Sequence, residues 1–187
     1  VQRITLDQIV DLYQITAVET GDEMMGLWSR PVGPRALQHL VTTVLSSNSL
    51  TSALYKFSTF WNLILDDYRF ELETSSDTVA LKLVAVGEQP CQRFGHMLIL
   101  KLVHGLISWL ADFEIPVHSL WFSFEKPSFA QDYSVIFPVK VNFGMDHSRI
   151  SFEVGNFGQI QPRPQAELKE FLRRAPRDWL FTNSYEH

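Results

Sequence analysis

The stretch YRFELETSSDTVALKLVAV, residues 68–86, alternates between apolar and polar side chains on both sides of a short polar break. The alternating apolar positions are Tyr68, Phe70 and Leu72 in the first half, and Val79, Leu81 and Leu83 in the second half. A period of two predicts β-strands with one buried face, and the polar run at 75–77 predicts the turn between them. The stretch therefore predicts a β-hairpin whose apolar face must be covered by other elements.

Helical spacing of apolar residues dominates the sequence on both sides of this hairpin. The capping box Thr5-Leu6-Asp7-Gln8 predicts the start of the first helix, and Gly21 predicts its end. Further helices are predicted over 35–45, 50–65, 94–112, 129–137 and 164–174, and further strands over 117–124 and 149–154. Because helices and strands are interspersed, we predict an α+β fold. It is a single domain over residues 1–187, with an antiparallel or mixed sheet of about four strands covered by helices.

The longest apolar stretch, residues 94–110, lies in the predicted helix 94–112, which carries a polar stripe. Lys101, His104, Ser108 and Asp112 recur three or four residues apart, which places them on one side of a helix. Such a stripe is typical of a helix enclosed within a domain rather than within lipid. We therefore expect no membrane association.

The charge balance argues against direct nucleic-acid binding by this chain. Its formal net charge is −5, whereas a DNA-binding surface needs a surplus of cationic side chains. One local basic cluster consists of Arg163, Lys169, Arg173, Arg174 and Arg177. Its position at the end of a predicted helix favours an interaction with the helix dipole, and contact with phosphate is the alternative.

The cysteine content and the first residues suggest a compartment. A single cysteine, Cys91, cannot form a disulfide within the chain, which fits a reducing environment. The first fourteen residues are polar and acidic, unlike a secretory signal. We therefore expect a cytoplasmic protein.

No catalytic, nucleotide-binding or metal-binding motif stands out in the sequence. It contains neither G-x-S-x-G, nor G-x-G-x-x-G, nor a P-loop. His96 and His104 lie eight residues apart, too far to share a metal ion unless further ligands join them. We therefore expect no cofactor, no metal and no enzymatic activity. A small hydrolase would become plausible again if Ser, His and Asp side chains clustered in a cleft.

The face of the sheet opposite the apolar one carries an unusual tryptophan. In the predicted strand 117–124, Trp121 lies two residues from both Ser119 and Ser123 and therefore shares their face. Three interpretations remain open for this side chain: the wall of a ligand site, a dimer contact, or a singly exposed ring.

An ordered set of motifs resembles a known family. These are GDEMMGL at 21–27, LSSNSLTSAL at 45–54, FEKP at 124–127, FPVKVNF at 137–143, ISF at 150–152 and LKEFLRRAP at 168–176. Together they resemble the N-terminal effector domain of AraC-type bacterial transcription regulators, the domain described as arabinose-binding-like. The resemblance extends over residues 5–180.

The resemblance implies a regulatory role without identifying a ligand. Such domains bind a small-molecule effector and form homodimers, and they control a C-terminal domain with helix-turn-helix units that contacts DNA. We expect this chain to comprise the effector domain without that DNA-binding domain. The alternative is a protein–protein interaction or dimerisation module without a small-molecule ligand.

An effector site would need an enclosed, largely aromatic cavity with a few polar groups. The candidate ligand-binding residues are Trp28, Arg30, Phe57, Trp61, Arg69, Trp121 and Tyr133. Core packing is the alternative role for Phe57 and Trp61. The segment 127–143, which is short and punctuated by proline, is the candidate for a ligand-dependent movement.

Overall fold

A computed structural model describes residues 4–88, 92–161 and 163–180 of the 187-residue chain. The described helices are α1 (Leu6–Thr20), α2 (Ala36–Leu45), α3 (Leu50–Ile64), α4 (Arg93–Ala111), α5 (Tyr133–Ile136), α6 (Gln165–Arg173) and α7 (Arg177–Leu180). The described strands are β1 (Tyr68–Thr74), β2 (Thr78–Ala85), β3 (Ser119–Trp121), β4 (Val141–Asn142) and β5 (Ser148–Glu153). The single cysteine, Cys91, lies outside the described residues.

The five described strands form one mixed sheet in the order β1-β2-β5-β3-β4. The predicted hairpin is confirmed as β1 and β2, which pair antiparallel with Phe70 opposite Leu83. Strand β5 pairs antiparallel with β2 on one side and with β3 on the other. Strand β4, which runs parallel to β3, is the strand beyond the expected four, and its two residues are too few to show an alternating pattern.

The helices begin and end close to where local sequence signals predict. At the start of α1 the side chains of Thr5 and Gln8 each bond the other's backbone N–H, and Gly21 ends the helix in the left-handed region. Ser49 caps α3 through the N–H of Ser52. The third strand was predicted over 117–124 and is shorter in the structure, at Ser119–Trp121. Helix α7 was not predicted.

Helix α4 is the central helix of the domain. It is the one helix among the described residues whose length and hydropathy match a membrane span, and 94% of that stretch is buried inside the domain. The predicted polar stripe is buried with it: Lys101, His104 and Ser108 are inaccessible, and only Asp112 is exposed. The apolarity of α4 therefore serves packing against the sheet and the surrounding helices.

Two carboxylates organise the loop between α1 and α2. Asp22 is buried and accepts hydrogen bonds from the backbone N–H groups of Met24, Val32 and Gly26, at 2.9, 2.9 and 2.7 Å. The Glu23 carboxylate accepts from backbone N–H groups at the start of α2. The GDEMMGL motif is therefore a loop-forming motif, in which Gly26 has a positive φ of 70°.

The four arginines of the basic cluster near the C-terminal helices form ion pairs within the domain. Its ion pairs are Arg163 with Asp112 and Glu167, Arg173 with Glu170, Arg174 with Asp178, and Arg177 with Asp7. Two of these pairs, Arg163–Asp112 and Arg177–Asp7, join segments that are distant in sequence. The arrangement favours an intramolecular role for these arginines over contact with phosphate.

Candidate ligand-binding groove

A groove of about 390 Å³ lies between α1, α2 and the C-terminal helices α6 and α7. Its apolar walls are formed by Ala17, Val18, Leu37, Leu172, Ala175 and Trp179. Grooves of this volume are within the range of small-molecule sites. Its lining residues come from the segments 13–23, 35–38 and 172–179, so the groove exists only in the folded domain.

Tyr13 and Trp179 form the floor where α1 meets α7. Their rings pack edge to face with centroids 5.5 Å apart, and both side chains are buried. The Tyr13 hydroxyl donates to the Glu23 carbonyl oxygen at 2.8 Å. Burial raises the pKa of Tyr13 well above its ordinary value of 10, and the neighbouring carboxylates add to this rise. Tyr13 is therefore a permanent hydrogen-bond donor that ties α1 to the loop.

Glu23 and Arg35 lie where the loop enters α2. The Glu23 carboxylate accepts from the backbone N–H groups of Arg35 at 2.6 Å and Leu37 at 2.8 Å, and so satisfies donors at the N-terminal end of α2. Arg35 has a positive φ of 68° and an exposed side chain that lines the groove. The groove thus has an acidic group engaged by backbone and a cationic group next to it.

The Trp179 side chain is completely buried, and its Nε1–H has no hydrogen-bond partner among the described residues. A buried donor without a partner costs about 1–3 kcal/mol. Gln14 and Gln38 also line the groove, and the Gln14 amide donates to the carbonyl of Arg173 at 2.5 Å, which joins α1 to α6. The groove therefore combines apolar walls with several polar groups.

Helix α7 is seated directly on α4. A β-carbon on Gly105 would lie 2.8 Å from the Trp179 Cα and 3.0 Å from the Asp178 carbonyl oxygen, so only glycine permits this approach. Asp178 pairs with Arg174 at 3.1 Å. One wall of the groove is therefore held to the central helix by backbone contact.

A second polar region lies inside the domain around His96. Its Nδ1 lies 2.8 Å from the Ser148 hydroxyl oxygen, and its ring packs edge to face on Tyr68 with centroids 4.7 Å apart. Burial lowers the pKa of His96 to about 4, so the imidazole is neutral at physiological pH. This region is a satisfied polar cluster within an aromatic core.

The seven predicted ligand-binding residues do not line the groove. Trp28 and Tyr133 are buried and border the aromatic surroundings of His96: Trp28 stacks on the His96 ring, and Tyr133 contacts Phe124, which contacts His96. No described residue accepts a hydrogen bond from Trp28 Nε1. These two residues are therefore brought to one interior region.

The other predicted residues lie elsewhere. Phe57 and Trp61 pack against each other in the core with centroids 6.1 Å apart, as the core-packing alternative expects. The exposed Arg30 pairs with Asp66, and the exposed Arg69 pairs with Glu71. The structure thus separates these four from Trp28 and Tyr133 as well as from the groove.

Trp121 lies on the outer face of the sheet and is partly covered. The Arg149 guanidinium carbon lies 4.7 Å from the centroid of its ring, within cation–π distance. Arg149 also pairs with Glu73 and donates to the Ser119 hydroxyl. The ring is therefore half-buried beneath an arginine rather than singly exposed.

The segment 127–143, expected to move on ligand binding, forms a separate lobe at the sheet edge. It contains a 3-10 turn (Ala130–Asp132), α5 and β4, and borders a second cleft of about 520 Å³. Phe137 anchors the segment in the core. The structure describes one arrangement of this segment, and its mobility stays a prediction.

Sequence reasoning missed the groove residues Tyr13, Arg35 and Trp179. Tyr13 was recognised only as part of an apolar helix face, and α7 was not predicted at all. The Gly33-Pro34 pair before Arg35 was a usable signal of an irregular helix entry, but it gives no indication of what faces it across space. Among the described residues, no group of three or more potential metal ligands converges.

The sequence matches the model of the N-terminal arabinose-binding domain of AraC transcription regulators over residues 1–156. The chain therefore belongs to this family, which comprises regulatory domains rather than enzymes. The fold resembles a solved structure, the transcriptional regulator CdpR from Pseudomonas aeruginosa, with a TM-score of 0.52 and 16% identity. The match covers 95% of this chain and 66% of the CdpR chain, so the chain spans just under two thirds of that protein. No curated protein matches this sequence.

Proposed function

We propose that this domain binds a small-molecule effector in the groove between α1, α2, α6 and α7, and thereby controls DNA binding by a separate helix-turn-helix domain. The observation that carries this proposal is the construction of the groove: one wall, α7, belongs to the C-terminal part of the described chain. A DNA-binding domain placed after this one would be connected through that wall. Family membership supports the regulatory role.

The physical requirement for control is a difference in effector affinity between two arrangements of the domain. A ligand that contacts Trp179 and Ala175 on one wall and Leu37 on the other would stabilise one position of α7 relative to α2. A coupling free energy of about 1–3 kcal/mol is sufficient for a 5- to 150-fold change in DNA affinity. The Tyr13–Trp179 contact links the same wall to α1.

A thermal-shift screen with a paired variant tests this location. Metabolites that stabilise the wild-type domain should lose their effect in Ala17→Trp, because the larger ring fills the groove. Leu63→Trp is the matched control, since Leu63 is an exposed apolar residue on α3 away from the groove. A compound that stabilises all three proteins equally contradicts the groove as the site, and a broad library without any stabiliser contradicts effector binding.

The predicted residues Trp28 and Tyr133 define the alternative location, around His96. An effector there would have to displace aromatic packing, whereas the groove is already open. If a stabilising compound survives Ala17→Trp but is lost in Trp28→Leu, the effector site is the interior one.

We also propose that the domain forms a homodimer through the outer face of α1. Leu12 and Ile15 are 61% and 56% exposed, although they are apolar and lie three residues apart on one side of the helix. A face that is continuous along one helix can pair with itself around a two-fold axis, because an isologous interface uses the same patch twice. A second copy of this chain is therefore the partner we assign.

Light scattering tests the dimer. The double variant Leu12→Glu/Ile15→Glu should be monomeric, whereas Leu63→Glu, which charges an exposed apolar residue on α3, should remain dimeric. A wild-type monomer at all concentrations contradicts the dimer. A dimer together with a failed effector screen supports the second candidate function, an interaction module without a ligand.

We further propose that the domain acts in the cytoplasm, has no enzymatic activity and requires no cofactor. The family comprises domains of transcription regulators. A transcription regulator acts on DNA, which a bacterial cell holds in its cytoplasm. Effector binding alone, without chemical change of the ligand, suffices for the proposed mechanism.

A further inference from the structure

Arg35 differs from most described arginines in having no carboxylate partner. Arg30, Arg69, Arg149, Arg163, Arg173, Arg174 and Arg177 each lie within 4 Å of an acidic side chain. For Arg35, which is part of the groove wall, no such pair is found among the described residues. Its guanidinium therefore lies beside an apolar groove without an ion-pair partner among the described residues.

The acid closest along this wall is already engaged. Both carboxylate oxygens of Glu23 accept from backbone N–H groups, those of Arg35 and Leu37. The same two bonds fix the backbone of Arg35 at the entry of α2. The cation is thus held in place by its main chain while its side chain remains available.

A buried hydrogen-bond donor without a partner among the described residues lies in the wall of the groove that α7 forms. Trp179 lines the groove and is completely buried, and its Nε1–H makes no hydrogen bond to any residue that the structure describes. A buried N–H group of this kind is ordinarily paired with a hydrogen-bond acceptor. Within the described part of the chain, the groove therefore has a cation without an ion pair, a buried donor without an acceptor, and predominantly apolar walls.

We propose that the effector is an amphipathic carboxylate whose apolar body packs between Val18, Leu37 and Leu172 and whose carboxylate pairs with Arg35. A guanidinium binds a carboxylate with two parallel hydrogen bonds, which selects it over neutral or cationic head groups. The apolar walls supply most of the buried area and disfavour strongly polar ligands such as free sugars. This inference rests on the proposed effector function and specifies its ligand class.

Matched probes that differ only in their head group test the proposal. Octanoate, octanamide and octylamine are titrated into the domain, with calorimetry and thermal shift as readouts. Octanoate should bind at least tenfold more tightly than octanamide, and octylamine should not bind. Arg35→Met should abolish the preference for octanoate, Arg35→Lys should restore part of it, and Arg69→Met, which removes an exposed arginine outside the groove, should leave it unchanged.

The outcomes separate this inference from the proposed function. Equal binding of octanoate and octanamide, or an unchanged preference in Arg35→Met, overturns the assignment of a carboxylate. If either probe binds and is excluded by Ala17→Trp, the groove remains an effector site of another ligand class. No binding by any of the probes also overturns the inference, while the metabolite screen decides the proposed function independently.

Discussion

Gly105 in the middle of α4 packs directly against the backbone of Trp179 in α7, with no room for a side chain between them. This contact holds the wall of the groove against the central helix. Any change that pushes α7 away from α4 must also displace the Trp179 ring from Tyr13. The glycine is therefore a structural determinant of the groove although it does not line it.

Gly105→Ala should destabilise the domain, although the same substitution within a helix usually stabilises by about 0.5–1 kcal/mol. The new β-carbon would meet backbone atoms, which cannot rotate away, at 2.8–3.1 Å. We expect a loss of about 1–3 kcal/mol in the free energy of unfolding, measured by urea denaturation. Gly95→Ala in the same helix is the control, because its nearest neighbours lie at 3.4 Å. Equal effects of both substitutions would contradict the tight seat of α7.

Asp22→Asn should loosen the loop that carries Glu23 and Arg35. The carboxylate accepts three backbone hydrogen bonds, and an amide in its place directs N–H donors against an N–H group. We expect a cost of about 2–3 kcal/mol in chemical denaturation. Asp66→Asn is the control, because that carboxylate is exposed and only pairs with Arg30 at 3.8 Å. A cost for Asp66→Asn as large as for Asp22→Asn would show that the loop is held by something else.

Acid should destabilise the domain through its buried histidines. Burial lowers the pKa of His96 to about 4 and that of His104 to about 3, whereas the unfolded chain titrates near 6.5. Between pH 6.5 and 4 the unfolded chain therefore binds more protons than the folded one, so stability falls as the pH is lowered through this range. Each histidine should contribute about 2 kcal/mol of this loss between pH 7 and 5.

Denaturation curves at several pH values measure this effect. His96→Gln should flatten the dependence on pH by the share of that histidine. An unaltered slope in His96→Gln would contradict a neutral, buried imidazole.

Lys101→Met should raise the pKa of His104. The Lys101 Nζ lies 3.1 Å from His104 Nδ1, while His104 Nε2 lies 2.8 Å from the Ile115 carbonyl oxygen and so carries the ring proton. Burial is the main cause of the low pKa of His104, and the Lys101 charge lowers it further. Without the ammonium group the pKa should rise but remain below 6.5, as followed by NMR of the ring protons. Lys82→Met on the outer sheet face should leave it unchanged.

The hairpin and the helix ends were predictable because their signals are local. Alternation over 68–86 is a property of consecutive residues, and the caps at Thr5 and Ser49 lie within three residues of the groups they satisfy. The short strand β4 and helix α7 were not predictable, because two and four residues are too few to show a period. Both depend on tertiary contacts for their conformation.

The candidate pocket residues illustrate the same limit. Large aromatic and basic residues were selected by type, yet Phe57 and Trp61 lie in the core, while Arg30 and Arg69 form surface ion pairs. Residue type does not reveal whether a ring faces a neighbour or an empty space. Only the packing of the helices separates those cases.

By itself, the sequence determined the α+β class, the order of the main elements and the family resemblance, because periodicity, caps and motif order are read along the chain. The tertiary structure alone decided that α1, α2, α6 and α7 enclose a groove and that Arg35 stands beside it without a carboxylate partner among the described residues. The physical reason is that a groove is a gap between surfaces that pack imperfectly. Its shape depends on distances between residues such as Tyr13 and Trp179, which are 166 positions apart in the chain.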